Sequence, residues 1–316
     1  MLRVAFTSEF KRGRLEDLVA LLSGRNFETR TFEAAIAEAS FRQLEAGILR
    51  YMNATNFKRF VMILRSAGFV DASMIRSQNT VNFAYILYLT LRAQSVAPEQ
   101  IETLVRRWFV MSVLTGRDTG APETAFSVDI RNIATQGASR YLDTIERAEL
   151  SDAFWEVGLP QQMDTSVATS PYFNVFLASQ VKGNDKGFLS RDLTVRDLLE
   201  GQWHIHHVFP RSYLQKHGFP RGRYNQIANY VVMQSEINIA IGDRAPATYF
   251  AGLWEQCQNG TTRYGGITDV DQLRDNLAAH CIPHGMETVS VEGYEVFLHE
   301  RRNLMAAKIR NYYRTL

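Results

Sequence analysis

The chain has 316 residues, of which 46% are hydrophobic and 22% charged. That is the balance of a globular protein with room for one large or two ordinary domains with real cores. A formal net charge of +2 excludes bulk basicity as a sign of nucleic acid, so any such signal must be local. No stretch reaches the roughly 18 apolar residues of a membrane span. The N-terminus "MLRVAFTSEFKRGRL" shows no apolar signal-peptide core. The two cysteines, Cys257 and Cys281, form no CxxC pair, which points to a reducing, cytoplasmic setting.

No proline precedes Pro98, and the early segments read at helical spacing. Phe57, Phe60, Val61 and Leu64 fall at i, i+3, i+4 and i+7, which predicts a helix that stops near Gly68. "VNFAYILYLTLR" (81–92) is apolar on nearly all sides, as in a helix buried within a bundle. "APEQIETLVRRWFVMSVLTG" (97–116) carries Pro98 in its first turn and ends at Gly116. "SPYFNVFLASQ" (170–180) is a further apolar helix. The spacing therefore predicts an all-helical domain over residues 1–195, with its aromatic and aliphatic stripes as core.

The texture changes after residue 195. "WHIHHVF" reads as a short strand, "RSYLQKHGFPRGRYNQI" as a basic connection, and "ANYVVMQ" as a second strand. "SEINIAIGDRAPATYFAGLWEQ" then turns helical, with Ser235 as its expected N-cap. Residues 294–316 form a long amphipathic helix, with Leu298, Met305, Ile309, Tyr312 and Leu316 on its buried stripe. The expected fold class is mainly α. A helical domain is followed over 196–316 by a small strand–strand–helix element and a long C-terminal helix.

Three of the seven histidines, His204, His206 and His207, crowd into this first strand. They raise three alternatives: a metal site, a general base, or an ordinary pair at a strand end. Neighbouring side chains in a strand point to opposite faces, so His206 and His207 cannot do one job together. At a strand end they can straddle one small target, one holding a cation and the other reaching the reacting atom. Phosphodiester hydrolysis needs that division, with a cation against the phosphate oxygens and a base for the attacking water. An imidazole, with an ordinary pKa of about 6.5, suits the base role. A lone imidazole binds a hard cation poorly, and Asn238, in the first turn of the following helix, is the best second ligand. Asn229 stands where the second strand begins and can tie the long connection by hydrogen bonds to its backbone.

The order His207, Asn229, Asn238 within "HHVFPRSYL…ANYVVMQSEINIAIGDRAP" resembles the HNH nuclease signature, a ββα-metal finger. More narrowly it is similar to the C-terminal nuclease portion of the GmrSD-type modification-dependent restriction enzymes. Those carry an "HHIFP"-like strand, a following asparagine pair and a downstream proline, matched here by Pro246 after Asp243 and Arg244. The resemblance implies His207 as general base, Asn229 as the supporting asparagine and Asn238 as a metal ligand. It also implies one divalent ion, Mg²⁺ or Mn²⁺, and DNA as substrate in a restriction or phage-defence setting. His206 occupies a position where many HNH enzymes have an aspartate ligand, and the third motif position is Asn rather than His. The motif covers roughly residues 203–250, and the flanking helical segments match more softly. Family members usually carry a preceding nucleotide-dependent sensor domain, and this sequence has no GxxxxGK[ST] loop. A fragment, a split subunit with a separate sensor partner, or a trimmed relative is therefore expected.

Arg211, Lys216, Arg221, Arg223 and Arg244 set five cations against Glu236 and Asp243 over residues 203–246. They are read as a phosphate-contacting face or, equally, as a solvated one. Arg301, Arg302, Lys308, Arg310 and Arg314 on the last helix fit its C-terminal dipole as well as they fit DNA. His204 shares a strand face with His206 and is a supporting candidate. His217 is expected in solvent. "HCIPH" (280–284) places two histidines and a cysteine close together, but no CxxC partner makes it a zinc site. The rival readings are a non-catalytic nucleic-acid-binding or assembly module with a decayed finger, and an RNA nuclease using the same chemistry.

Overall fold

The computed structural model describes residues 1–201 and 204–316. Helices dominate it, as the sequence predicts, and besides two isolated bridges the described residues form one two-stranded sheet. Trp203, which opens the histidine-rich motif, lies outside the described residues. Among those residues no helix is long and apolar enough to cross a membrane.

The chain divides into two compact units. The first comprises Met1–Ser66, Ser77–Ser151 and Leu316. Its helices are α1 (Leu2–Phe10), α2 (Leu15–Leu22), α3 (Ala34–Met52), α4 (Ala54–Ser66), α5 (Gln78–Ala93), α6 (Pro98–Thr115), α7 (Pro122–Gln136) and α8 (Ala138–Glu149). Helix α5 starts where Ser77 accepts from Thr80 N–H, and it is buried continuously from Phe83 to Leu91. Phe83 packs on Trp108 at 5.1 Å and on Phe126 at 5.0 Å, which joins α5 to α6 and α7. Helix α6 ends as expected, with Gly116 in the left-handed region at φ 64°. In α4 the buried stripe is Phe60, Ile63 and Leu64, and Phe57 is exposed. The expected stripe was therefore displaced by part of a turn.

The second unit comprises Ala67–Arg76 and Asp152–Thr315. Its helices are α9 (Leu159–Gln162), α10 (Pro171–Lys182), α11 (Val195–Glu200), α12 (Arg211–Lys216), α13 (Arg221–Tyr224), α14 (Ser235–Ile241), α15 (Pro246–Asn259), α16 (Val270–Ala279) and α17 (Tyr294–Tyr313). Strands β1 (Ile205–His207) and β2 (Tyr230–Val232) complete it. Residues 152–195, grouped by sequence with the N-terminal helices, belong to this unit. The reason is specific bonding: Phe188 N–H donates to Val232 O at 2.8 Å. Asn276 bridges Leu189 N–H and Gly187 O, and Phe173 of α10 packs edge-on against Tyr230. Gly68 also falls here, where a Cβ would meet Ala178 O at 2.1 Å and φ is +98°, so only glycine fits.

Helix α17 is the spine of this unit. Leu298, Met305, Ile309 and Tyr312 are buried along it, as the amphipathic stripe predicts. Arg301 on the same stripe is fully buried, which corrects its reading as a surface cation. Its Nε and Nη2 donate to His280 O, and its Nη1 donates to Ala228 O at 2.7 Å. Burial draws its pKa down to about 10. Arg302 pairs with Asp164, Lys308 with Asp185 and Arg310 with Asp152. Three more cations of α17 are thus held by intramolecular carboxylates.

Candidate functional site at the two-stranded sheet

β1 and β2 pair antiparallel, with Ile205 opposite Val232, His206 opposite Val231 and His207 opposite Tyr230. Each strand is only three residues long. The connection between them is not an open loop: it holds α12, α13 and a 3₁₀ turn at Ile227–Asn229. β2 then feeds α14 after two residues. Gln234, not Ser235, is the N-cap of α14, and it makes no side-chain cap bond. Ser235 is the first helical residue. The helical run breaks at Gly242, with φ 61° and ψ −126°, so Pro246 begins a separate helix.

Alternation along β1 separates the two histidines. His206 is associated with Asn238 on α14, and His207 with Asn225 at the end of α13. The His207 Nε2 lies 3.0 Å from Asn225 Oδ1, and its ring meets Tyr230 edge-on at 5.2 Å. An amide oxygen only accepts, so Nε2 is the protonated nitrogen and Nδ1 keeps the lone pair. Burial lowers the His207 pKa below its ordinary 6.5. The Asn225 bond opposes that fall, and the charges of His206 and Arg211 add to it. His207 is therefore neutral at pH 7.

The His206 Nε2 is buried and has no hydrogen-bond partner among the described residues. Burial lowers its pKa first and the neighbouring His204 lowers it further, while the Asn238 amide partly offsets both. Asn238 thus acts on the ring without making a hydrogen bond of good geometry at Nε2. His204 is exposed.

Asn229 is fully buried. Its Oδ1 accepts from Phe209 N–H at 2.8 Å, and its Nδ2 donates to Phe209 O and Tyr224 O at 3.1 Å each. The backbone of Asn229 also accepts from Val208 N–H. One side chain therefore ties the exit of β1 to the residue preceding Asn225. Both sides of the His207–Asn225 contact are fixed by it. Tyr249 Oη donates to Val208 O, and Tyr294 Oη donates to Arg223 O, so α15 and α17 brace the same backbone.

The five expected phosphate contacts separate into two groups. Arg221 is exposed and has no charged partner among the described residues. Arg211 is exposed and lies over the Tyr224 ring at 5.6 Å. Lys216 pairs with Asp243, Arg223 with Glu295, and Arg244 donates to Ala240 O and Ile241 O. His217 is exposed, with its Nδ1 2.8 Å from Tyr213 O.

Within "HCIPH" the first histidine is already committed to protein partners. His280 has both nitrogens engaged, Nδ1 with Gln180 and Nε2 with Lys186 O. Burial pushes its pKa down to about 3. Cys281 is buried and His284 exposed. Among the described residues no group of three or more His, Cys, Asp or Glu is placed to hold a metal ion. A cation at this sheet would rest on one imidazole and one amide oxygen.

Sequence reasoning missed Asn225. The only signal was its position four residues before Asn229, at the end of the basic connection. No protein-family model matches the chain, and neither a curated protein nor a solved structure matches it.

Proposed function

We propose that this protein is a metal-dependent endonuclease that hydrolyses DNA phosphodiester bonds at the β1–β2 sheet, with β1, β2 and α14 serving as an HNH-type ββα-metal finger. The support is the division of roles between two adjacent histidines. The buried, unpartnered His206 Nε2 stands with Asn238 on one side. His207, neutral and oriented by Asn225, stands on the other. The resemblance of the motif to GmrSD-type restriction enzymes adds the substrate and the restriction or phage-defence setting.

The residues present fit a single divalent cation. His206 Nε2 is an orphaned donor atom, and Asn238 offers a neutral oxygen; both suit Mn²⁺, and less well Mg²⁺. When bound, such a cation supplies positive charge against the scissile phosphate oxygens. This chain's part in the reaction is the proton. His207 Nδ1 takes it from an attacking water as the water oxygen bonds phosphorus. The bond from phosphorus to the departing oxygen breaks, and solvent protonates that oxygen. Asn225 holds the ring so that Nδ1 stays free, and protonated Nε2 shares the gained charge with the amide oxygen. Arg211 and Arg221 are the cations free to meet flanking phosphates.

The test is nicking of supercoiled plasmid by the purified chain, with Mn²⁺ or Mg²⁺ and with EDTA. Cleavage that needs the cation supports the reading. A folded protein that binds plasmid and never cuts it supports the decayed-finger alternative instead. A single-stranded RNA substrate distinguishes the RNA nuclease.

A further inference from the structure

The first unit holds a pocket that none of the chemistry assigned above uses. Helices α4, α5 and α6 line an open pocket of about 490 Å³, within the size range of small-molecule sites. Its apolar wall comes from Met62, Ile63, Pro98 and Ile101, and its polar side from Arg59, Tyr88 and Arg92.

Three features of this pocket are unsatisfied. First, Arg59 and Arg92 are both exposed, and neither has an ion-pair or hydrogen-bond partner among the described residues. That contrasts with the cations of α17. Second, Tyr88 is 2% exposed, yet its hydroxyl has no partner among the described residues. A buried phenol normally finds one. Arg59, Arg92 and Glu102 line the same pocket as Tyr88. Third, α6 opens at the pocket with Ala97 as N-cap, and an alanine offers no side-chain cap. The positive end of this 18-residue helix therefore has no side-chain cap, and Glu99 is the acidic residue of its first turn.

The charge balance selects the ligand. Arg106 donates to Ser66 Oγ and pairs with Glu102 at 3.5 Å. Arg106, outside the lining, thus offsets Glu102, and of the lining charges Arg59 and Arg92 remain unpaired. The surplus of two positive charges matches a phosphomonoester, which carries about −1.5 to −2 at pH 7. A lone inorganic anion would leave the exposed Met62 side chain at the rim uncovered.

We infer that the α4–α5–α6 pocket binds a small phosphomonoester with an apolar body, its phosphate held by Arg59, Arg92 and the Tyr88 hydroxyl and its body against Met62. The site is independent of the nuclease reading, because it uses no residue of the β1–β2 sheet.

Phenyl phosphate is the probe, titrated by calorimetry into the full chain, with inorganic phosphate and phenol as separate arms. Wild type should bind phenyl phosphate more tightly than either arm. Arg59→Ala and Arg92→Ala should each weaken it by roughly tenfold or more, the usual worth of a charge-assisted hydrogen bond. Both arginines are exposed, so these variants probe binding rather than folding. Tyr88→Phe keeps the packing and should weaken binding by several-fold. No binding by wild type at millimolar phenyl phosphate would overturn the site. Equal affinity in the Arg59→Ala/Arg92→Ala double variant would overturn the assignment of the phosphate. Inorganic phosphate binding as tightly as phenyl phosphate would overturn the apolar half.

Discussion

Asn229→Ala isolates what holds the candidate site together. The side chain is fully buried and makes three hydrogen bonds, one from Phe209 N–H, one to Phe209 O and one to Tyr224 O. Each such bond contributes about 0.5–1.5 kcal/mol net, and buried backbone groups left without partners cost about 1–3 kcal/mol each. Alanine removes all three bonds and opens little space that water could use. The expected loss is about 3 kcal/mol from the second unit. In a unit of this size that lowers the midpoint of thermal unfolding by roughly 6–12 °C. The assay is urea unfolding followed by near-UV circular dichroism, with the transitions of the two units fitted separately because a two-unit chain need not unfold in one step. Asn229→Asp should not rescue, since a carboxylate would turn an acceptor toward the two carbonyls. A loss under about 0.5 kcal/mol would refute the reasoning, because it would mean that the connection holds its shape without the amide.

Other expectations follow from the same geometry. The rate of cleavage should hold its plateau below pH 6.5, since burial lowers the His207 pKa. Asn225→Ala should reduce the plateau and move the acid limb to still lower pH, because the Asn225 bond favours the protonated ring. A pH–rate profile that keeps its limb would assign Asn225 to folding alone. Asn238→Ala should raise the cation concentration needed for half-maximal cleavage, and Mn²⁺ should serve wild type at least as well as Mg²⁺. Overlaid titrations of wild type and variant would remove Asn238 from the cation site. In the first unit, Asp118 is fully buried, and neither carboxylate oxygen has a well-aligned donor among the described residues. Burial, then the nearby Asp129, raises its pKa from 3.8 to about 6, against the pull of Thr80 and Arg117. The folded state therefore binds the proton more tightly than the unfolded chain, so this group's penalty grows as pH rises from 3.8 through 6. At 1.36 kcal/mol per pH unit the full penalty is about 3 kcal/mol. Asp118→Asn should stabilise the chain by up to that amount at pH 7–8, with the gain shrinking toward zero near pH 4. A gain that is independent of pH would contradict the buried charge.

Helices were legible where a single face or a terminus decides them. Pro98 and Gly116 bracket α6 because proline fits the first turn and glycine the left-handed stop. The unbroken apolar run of 81–92 has no polar face to expose, so α5 lies inside. The 211–229 connection was harder. Its glycines and prolines read as loop, yet two short helices form there; α13 is held at Arg223 O by the distant Tyr294 and at Tyr224 O by Asn229, while Tyr249 holds Val208 O just ahead of the connection. Local propensity carries no trace of those captures. The opposed directions of His206 and His207 followed from strand alternation alone. Asn225 did not, because an asparagine at the end of a turn reads as turn chemistry until the ring it bonds is in place. Arg301 looked like surface charge for a similar reason. Its acceptors, the carbonyls of Ala228 and His280, are backbone groups with no mark in the sequence.

The central claim is tested most directly by comparing wild type and His207→Ala on supercoiled plasmid under single-turnover conditions with Mn²⁺. Wild type should nick the plasmid and stop in EDTA. The variant should keep its circular dichroism spectrum and its plasmid affinity while cutting about 10²-fold or more slowly, the usual worth of a general base. Equal cleavage by the two proteins would contradict the assignment of His207, and a folded wild type that cuts neither plasmid nor RNA with any divalent cation would contradict the nuclease itself.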